Sequence, residues 1–326
     1  MRVRVWSWVA TAALLHAAAA LAVEAKKTDV QAFHLAPGSR LSLRLEDGSV
    51  RLSTWEKEQA EVQIVRRAWA SSRREAQRRL DEIEVEVRKR TGEVEIVVFD
   101  HGATPVRSFW DLFNPNKWGS ASNVSVELQL QVPEGVDLRL EADDADVEAE
   151  GKWGAVLITV ADGDVELQDL RAARLRLETD DGNIVLYRLA MPEGAIRAIT
   201  NDGLIRLEEC VASEVSAETD DADVAVLRCD LQRLDVRTAS GDVEVEPVLQ
   251  RLSRLRVDTE DGDIILSLPP DPDAELDLRT VTGRIRTEKG VPSEEEGGQR
   301  LKVRLGKGRA LISAFTEDGD IIVEKR

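Results

Sequence analysis

Carboxylates at regularly repeated positions are the most prominent candidates for chemistry in this sequence. Aspartates gather around a recurring Asp-Gly turn, and the column includes Asp162, Asp164, Asp181, Asp221, Asp223, Asp261 and Asp263. Because Ca²⁺ takes oxygen ligands from carboxylates, calcium bound there would rigidify one edge of the protein. The alternative is turn chemistry on a solvated, salt-screened edge. We favour turn chemistry, since the nine-residue GGxGxDxUx calcium repeat is absent.

A second candidate is an aromatic segment in a chain that has only 4% aromatic residues. It contains Phe109, Trp110, Phe113 and Trp118. Such a loop could contact a protein partner, a polysaccharide or a membrane surface. It could instead cover the open apolar end of a repeat structure, and we favour this cap because terminal repeats need one.

The two cysteines occupy equivalent positions in consecutive repeats. Cys210 lies seven residues after Gly203, and Cys229 lies seven after Ala222. Stacked strands are about 4.8 Å apart, which is within the Cα separation that permits a disulfide. The alternatives are therefore a disulfide, favoured by export, and a pair of buried thiols that act as small hydrophobic groups.

Catalysis is not expected from these residues. His34 and His101 lie in different segments, and the sequence has no nucleophile motif, phosphate-binding loop or zinc spacing. The formal charge of −18 argues against a nucleic-acid partner, which would need clustered Lys and Arg. An enzyme that acts on acidic polysaccharide is retained as an outside alternative, since paired carboxylates do the work in glycosidases.

The N-terminus has the pattern of an export signal. Arg2 and Arg4 precede an Ala-rich apolar run, and Ala20-Leu21-Ala22 supplies small residues for cleavage. The alternative is an uncleaved anchor over Val5–Val23, but this run contains polar residues and Ala has little membrane affinity. We therefore expect residues 1–22 to be removed and the mature chain, which has no later spanning segment, to be periplasmic or extracellular.

A repeat governs the C-terminal two thirds of the chain. The turn motif places Gly or Ala at positions 145, 163, 182, 203, 222, 241, 262, 283 and 319. Around each turn every second residue is apolar or Thr, which is the period of a strand with one buried face. The last, longer interval holds either an unmarked coil or an inserted loop around Ser293–Gln299.

The same residue types recur at the same phase of every repeat, which favours a solenoid over a meander of hairpins. We predict an all-β, single-stranded β-solenoid (β-helix-like) with coils of about 19–21 residues. An irregular N-terminal cap region contains one helix, over Ser71–Asp81. The predicted units are residues 1–22, the cap region 23–132 and the repeat domain 133–326.

Opposite charges on the outward faces are expected to pair between consecutive coils at the C-terminal end. The rows concerned are Asp235/Arg237, Arg256/Asp258 and Asp277/Arg279. Such exposed pairs each contribute little.

Three sequence features together resemble a known bacterial family. They are the Leu-x-Leu-x-Leu-Glu-Asp-Gly-Ser-Val segment of residues 41–50, Val132-Pro133-Glu134-Gly135, and the repeated Thr-x-Asp-Gly-Asp-Ile rows. The chain is similar to the domain-of-unknown-function family labelled "putative adhesin". The resemblance implies an exported β-solenoid and brings no catalytic residues.

We predict a non-catalytic, exported cell-envelope protein, either a scaffold or an adhesin-like binding module. Its partner would be an envelope protein or a surface glycan. The alternative is a periplasmic sensor or regulatory partner of an envelope system, which would use the same surface.

Overall fold

The computed structural model describes residues 23–100, 124–287 and 299–325. The segment expected to be the export signal lies outside these residues, as do Phe109, Trp110, Phe113 and Trp118. No helix in the described part of the chain is long and apolar enough to cross a membrane.

The described residues are mostly β-strand and include one helix. The strands are β1 (Val23–His34), β2 (Arg40–Trp55), β3 (Gln59–Ala70), β4 (Ile83–Arg90), β5 (Glu93–Asp100), β6 (Val124–Pro133), β7 (Asp137–Lys152), β8 (Ala155–Asp162), β9 (Val165–Arg171), β10 (Arg174–Thr179), β11 (Ile184–Tyr187), β12 (Ala190–Ile199), β13 (Ile205–Glu208), β14 (Val211–Glu218), β15 (Val224–Ser240), β16 (Val243–Pro247), β17 (Arg254–Asp261), β18 (Ile264–Leu268), β19 (Ala274–Thr280), β20 (Ile285–Thr287), β21 (Arg300–Leu305), β22 (Ala310–Asp318) and β23 (Ile321–Lys325). The helix is α1 (Arg73–Glu82).

The strands form two faces that meet at the Asp-Gly turns. The first face runs β4, β5, β2, β7, β8, β10, β12, β14, β15, β17, β22, β19 and β21. The second face runs β1, β3, β6, β2, β7, β9, β11, β13, β15, β16, β18, β23 and β20. Strands β2, β7 and β15 contribute to both faces because each continues around a corner.

Register pairing places the sequence columns in rows. On the first face Leu175 pairs with Val156 on one side and with Ile196 on the other, in parallel. Strand β2 near the N-terminus joins the same stack, since Leu41 pairs with Leu138 and Val50 with Val147. Residues 41–52, which carry the Leu-x-Leu-x-Leu and Asp-Gly pattern, therefore have the same phase as the later rows.

The core is a continuous aliphatic stack between the two faces. Inward positions alternate with exposed ones along each strand, as in β8 and β10. Ile158 and Leu177 are fully buried, and burial of each such side chain contributes roughly 1.5–3 kcal/mol. Because no coil encloses its own apolar face, stability depends on neighbouring rows.

From Thr179 onward, a buried threonine column ties each row to its neighbour near the turn. Thr200 Oγ1 donates a hydrogen bond to the Gly182 carbonyl oxygen at 3.0 Å, and Thr219 Oγ1 donates to that of Gly203 at 3.2 Å. Thr316 makes the equivalent bond to Gly262 at 3.0 Å. The hydroxyl thus satisfies a polar backbone atom inside the stack, which explains Thr at an otherwise apolar position.

Close approach between rows restricts the turn position to glycine in several rows. A Cβ built on Gly203 would lie 1.9 Å from the carbonyl oxygen of Gly182, and one built on Gly319 would lie 2.0 Å from that of Gly262. At these two turns no side chain fits without moving the backbone. The equivalent positions 145 and 222 hold alanine, so the constraint belongs to individual rows and not to every stacked turn.

The rows at the C-terminal end do not follow chain order. Strand β17 pairs with β22, and β22 pairs with β19 on its other side. The Gly319 turn consequently lies between the Gly262 and Gly283 turns, as the bond from Thr280 Oγ1 to the Gly319 carbonyl also shows (2.8 Å). The expected pairing of the Arg256/Asp258 row with the Asp277/Arg279 row is therefore wrong, because the last coil of the chain separates them.

The described part of the long final interval does not add a parallel row. Strand β21 instead runs antiparallel to β19, with Leu278 opposite Leu301 and Ala274 opposite Leu305. An antiparallel strand thus ends the described first face.

The N-terminal end is built from antiparallel strands and the helix. Helix α1 begins after Ser72, whose hydroxyl accepts a hydrogen bond from the Glu75 backbone N–H at 3.3 Å. Ala76 and Leu80 are buried on its inner side, and the helix contacts β1, β3 and β4. The predicted helix over Ser71–Asp81 thus agrees with the structure to within two residues.

Candidate functional site

The turn carboxylates have a structural role in the described residues. Asp164 Oδ1 accepts hydrogen bonds from the backbone N–H and the side-chain amide of Asn183, both at 2.9 Å. Asp223 accepts from the Asp242 backbone N–H at 2.9 Å, and Asp263 from that of Asp320 at 2.7 Å. Each carboxylate therefore holds the turn of the following row in place.

The remaining aspartates proposed as calcium ligands, Asp162, Asp181, Asp221 and Asp261, are exposed at the same edge. Within the described ranges no group of three or more acidic, His or Cys side chains is arranged to hold a metal ion. At the first rows Asp144 is paired in register with Asp47 and Asp162. Partial burial, followed by the charges of Asp47 and Asp162, raises the pKa of Asp144.

Cys210 and Cys229 lie against each other on neighbouring rows as free, buried thiols. The Cys210 backbone N–H donates to the Cys229 sulfur at 3.4 Å. The adjacent Cys210 sulfur and burial raise the pKa of the Cys229 thiol. Both groups are thus buried core side chains, and a disulfide between them stays a prediction.

A groove with polar walls and a volume of about 630 Å³ lies on the second face. We call it the polar groove; it crosses β3, β6, β2, β7 and β9 and is lined by Arg51, Leu52, Ser53, Glu61, Gln63, Gln129, Leu130, Gln131, Glu148, Ala149, Glu150, Glu166 and Gln168. Outward residues from five strands meet here because alternation buries their neighbours Leu52, Val62 and Leu130.

One wall of the polar groove is fixed by an ion-pair network. Arg51 Nε contacts Glu148 at 2.9 Å, and its Nη1 contacts Glu127 at 3.3 Å. Gln129 Nε2 donates to Glu127 at 2.6 Å, and this bond together with Arg67 and Arg51 lowers the pKa of Glu127. The Arg51 charge is therefore already compensated by Glu148 and Glu127.

Several other lining groups have no side-chain partner within the part of the chain that the structure describes. They are Glu61, Gln63, Gln131, Glu150, Glu166 and Gln168. Gln63 and Glu61 face Gln129 and Gln131 across the antiparallel pair β3–β6. The polar groove thus presents unengaged amide and carboxylate groups on rigid strands, where a ligand would not have to break existing bonds.

A corner with unusual backbone geometry borders the polar groove. Gln168 pairs with Tyr187, and the Arg188 guanidinium lies 3.9 Å from the Tyr187 ring centroid. Asp169 and Arg188 have φ values of 49° and 53°, a left-handed conformation that ordinary residues rarely adopt. Their ion pair, with Nε to Oδ1 at 2.7 Å, lowers the pKa of Asp169 and raises that of Arg188.

The family follows from the sequence and this repeated architecture together. Residues 38–324 match the family described as Toastrack DUF4097. The chain belongs to the Toastrack DUF4097 family. The match spans both the N-terminal strands and the stacked rows of this Toastrack protein.

Solved bacterial structures are similar to the chain only at low sequence identity and with TM-scores below 0.5. A "putative adhesin" from Parabacteroides merdae is 9% identical, with 91% of this chain and 96% of that chain covered and a TM-score of 0.47. A "putative lipid binding protein" from Parabacteroides distasonis has 9% identity, the same coverage and a TM-score of 0.46. A "putative adhesin" from Bacteroides fragilis is 8% identical, covering 92% and 97%, with a TM-score of 0.42. No curated protein matches the chain.

The polar groove was not predicted from the sequence. Its outward Gln and Glu residues resemble an ordinary solvated strand face, and they come from segments up to about a hundred positions apart. Arg51 and Glu148 illustrate this, since they meet only because β2 stacks on β7. The phase match between residues 41–52 and the later rows was the one available signal, and it identifies the row but not the groove.

Proposed function

We propose that this Toastrack protein is a non-catalytic, adhesin-like binding module of the cell envelope, and that its polar groove holds a neutral, hydroxyl-rich surface glycan. In this proposal residues 1–22 direct export and are removed. Residues 23–132 close one end of the stack, and residues 133–326 form a solenoid with coils of about 19–21 residues.

The observation that carries the proposal is the set of unengaged polar groups in the polar groove. Gln63, Gln131 and Gln168 each offer both donors and acceptors, while Glu61, Glu150 and Glu166 accept only. Sugar hydroxyls also donate and accept, so they match this mixture. A volume of about 630 Å³ falls in the usual range for small-ligand sites.

The negative charge of the polar groove favours uncharged ligands over anionic ones. Glu61, Glu150 and Glu166 add negative charge, and Arg51 does not offset it because Glu148 and Glu127 already pair with it. A polyanion would be repelled. A neutral oligosaccharide therefore fits better than a uronate or a phosphorylated ligand.

The test is binding of the mature protein to an array of neutral oligosaccharides, followed by calorimetric titration of each bound glycan. The variant Gln63→Ala/Gln131→Ala removes two amides that have no partner in the described residues. Its matched control is Gln232→Ala, an exposed glutamine on β15 outside the polar groove. We expect the double variant to weaken binding about tenfold or more, at about 1 kcal/mol per lost hydrogen bond, while the control binds normally.

Two results would overturn the proposal. One is the absence of binding to any neutral glycan by a correctly folded protein. The other is equal binding by the wild type and the double variant. The non-catalytic part is tested separately by assaying the bound glycan for new reducing ends, and sustained release would refute it.

A further inference from the structure

A second recess lies on the first face, far along the stack from the polar groove. It has a volume of about 320 Å³ and is lined by Arg254, Arg256, Asp258, Asp277, Arg279, Ser313, Ala314 and Phe315. We call it the arginine recess. It lies across β17, β22 and β19, at the point where the strand order departs from the chain order.

The recess arises because β22 presents short or apolar groups between two charged rows. Ser313 lies between Arg256 and Asp277, and Phe315 lies between Asp258 and Arg279. The long side chains of the flanking strands form walls, and the half-buried Phe315 ring contributes to the floor. If the rows had stacked in chain order, Arg256 would have faced Asp277 directly and filled this space.

The arginine recess is positively charged in a strongly acidic protein. Asp258 binds Arg256, and Asp277 binds Arg279 through two contacts at 3.2 Å. Arg254 makes no ion pair or side-chain hydrogen bond with any part of the chain that the structure describes. Three guanidinium groups thus face two carboxylates, which leaves a net positive charge and one unpaired arginine.

The neighbouring edge strand β21 adds further positive charge beside the arginine recess. Arg300, Lys302 and Arg304 project from β21 and are more than half exposed. Their described acidic contacts are Asp277 and Glu275. An extended anionic chain that leaves the recess across β19 would therefore meet further cations.

We propose that the arginine recess binds a carboxylate-bearing sugar unit, such as a uronate residue of an acidic polysaccharide. Guanidinium groups match carboxylates with two parallel hydrogen bonds, and Arg254 has its donors available. The apolar face of a sugar ring packs on an aromatic ring such as Phe315. A volume of about 320 Å³ is at the lower end for ligand sites, which suits one or two sugar rings rather than a lipid surface.

This site is independent of the polar groove and has the opposite charge preference. The probe is therefore a short oligogalacturonate, titrated calorimetrically into the mature protein, with an uncharged oligoglucoside and inorganic phosphate as comparison ligands. The variants are Arg254→Gln and Phe315→Ser. The control is Arg174→Gln, because Arg174 occupies the same outward column on β10 and also lacks an ion pair within the described residues.

We expect saturable binding of the oligogalacturonate that weakens about tenfold in Arg254→Gln, as for the loss of one charged hydrogen-bonding group. Phe315→Ser should weaken it as well, and Arg174→Gln should leave it unchanged. The Gln63→Ala/Gln131→Ala variant should also bind normally, which separates this proposal from the one above.

Three outcomes would overturn the inference. The first is no binding of the oligogalacturonate by the folded wild type. The second is an equal loss in Arg254→Gln and Arg174→Gln, which would indicate diffuse charge attraction. The third is equal competition by phosphate, or full binding by folded Phe315→Ser, since either would remove the role of the sugar ring.

Discussion

The threonine column offers a measurement of what one inter-row hydrogen bond contributes. We consider Thr219→Val, which replaces a buried hydroxyl with a methyl group of similar shape. The chain itself contains this replacement, because Val160 occupies the same column, pairs with Thr179 and is buried. Shape is therefore accommodated, and the substitution removes the hydrogen bond alone.

The magnitude follows from the contacts of Thr219. Its single hydroxyl proton is shared between the carbonyl oxygens of Asn201 at 3.1 Å and Gly203 at 3.2 Å, so the loss amounts to one bond of about 1 kcal/mol. Asn201 also accepts hydrogen bonds from the backbone N–H groups of Asp220 and Asp221 and is not left unsatisfied. The buried Gly203 carbonyl oxygen, by contrast, loses the bond that the Thr219 hydroxyl supplied, so the expected total cost is about 1–3 kcal/mol.

The assay is urea unfolding followed by circular dichroism. With a urea dependence of roughly 3 kcal/mol per molar, the midpoint of unfolding should fall by about 0.3–1 M. Thr28→Val, on the exposed part of β1, is the control and should change the midpoint little. An unchanged midpoint for Thr219→Val would refute the claim that the column stabilises the stack. A fall several times larger would refute the claim that valine fits.

Three further outcomes are expected. Ile158→Ala should lower the free energy of unfolding by about 2–5 kcal/mol because it leaves a cavity in the core. Urea unfolding should show a far smaller loss for Leu157→Ala, since the neighbouring Leu157 side chain points outward. Asp164→Ala should lower the melting temperature and Asp164→Asn should largely preserve it, because an amide oxygen still accepts from Asn183. Asp144→Asn should raise the melting temperature at pH 7, because the raised pKa of Asp144 means that its charged form opposes folding at that pH. The gain should vanish near pH 3, where the carboxyl is protonated in both the folded and the unfolded state. An equal gain at both pH values would contradict that assignment.

The stacked-row architecture could be predicted from the sequence because the same residue types recur at equivalent positions of successive rows. Leu175, Ile196 and Val215 occupy one inward column, and their types alone indicated the parallel register that β10, β12 and β14 adopt. The helix was visible from its Ser-led, charged segment. The aspartates were correctly associated with turns, and their role as acceptors for the next row follows from the same column.

The strand order at the end and the two recesses were not accessible in this way. A column pattern reports that β17, β19 and β22 are equivalent, so it cannot say which of them are neighbours. Arg254 and Phe315 become one site only through the insertion of β22. The left-handed backbone at Asp169 and Arg188 was also not predicted, because neither position is a glycine, the residue that usually indicates this conformation.

The out-of-order end has a consequence for how the molecule is made. Strands β17 and β19 are synthesised before β22, yet each lacks a partner on one side until β22 is present. Closing a contact across this separation costs more chain entropy than adding an adjacent coil. The rows before β17 can assemble as they emerge, whereas β17 and β19 must wait for β22 to be synthesised. A prematurely terminated product would therefore carry an open apolar slot, which quality-control proteases could recognise.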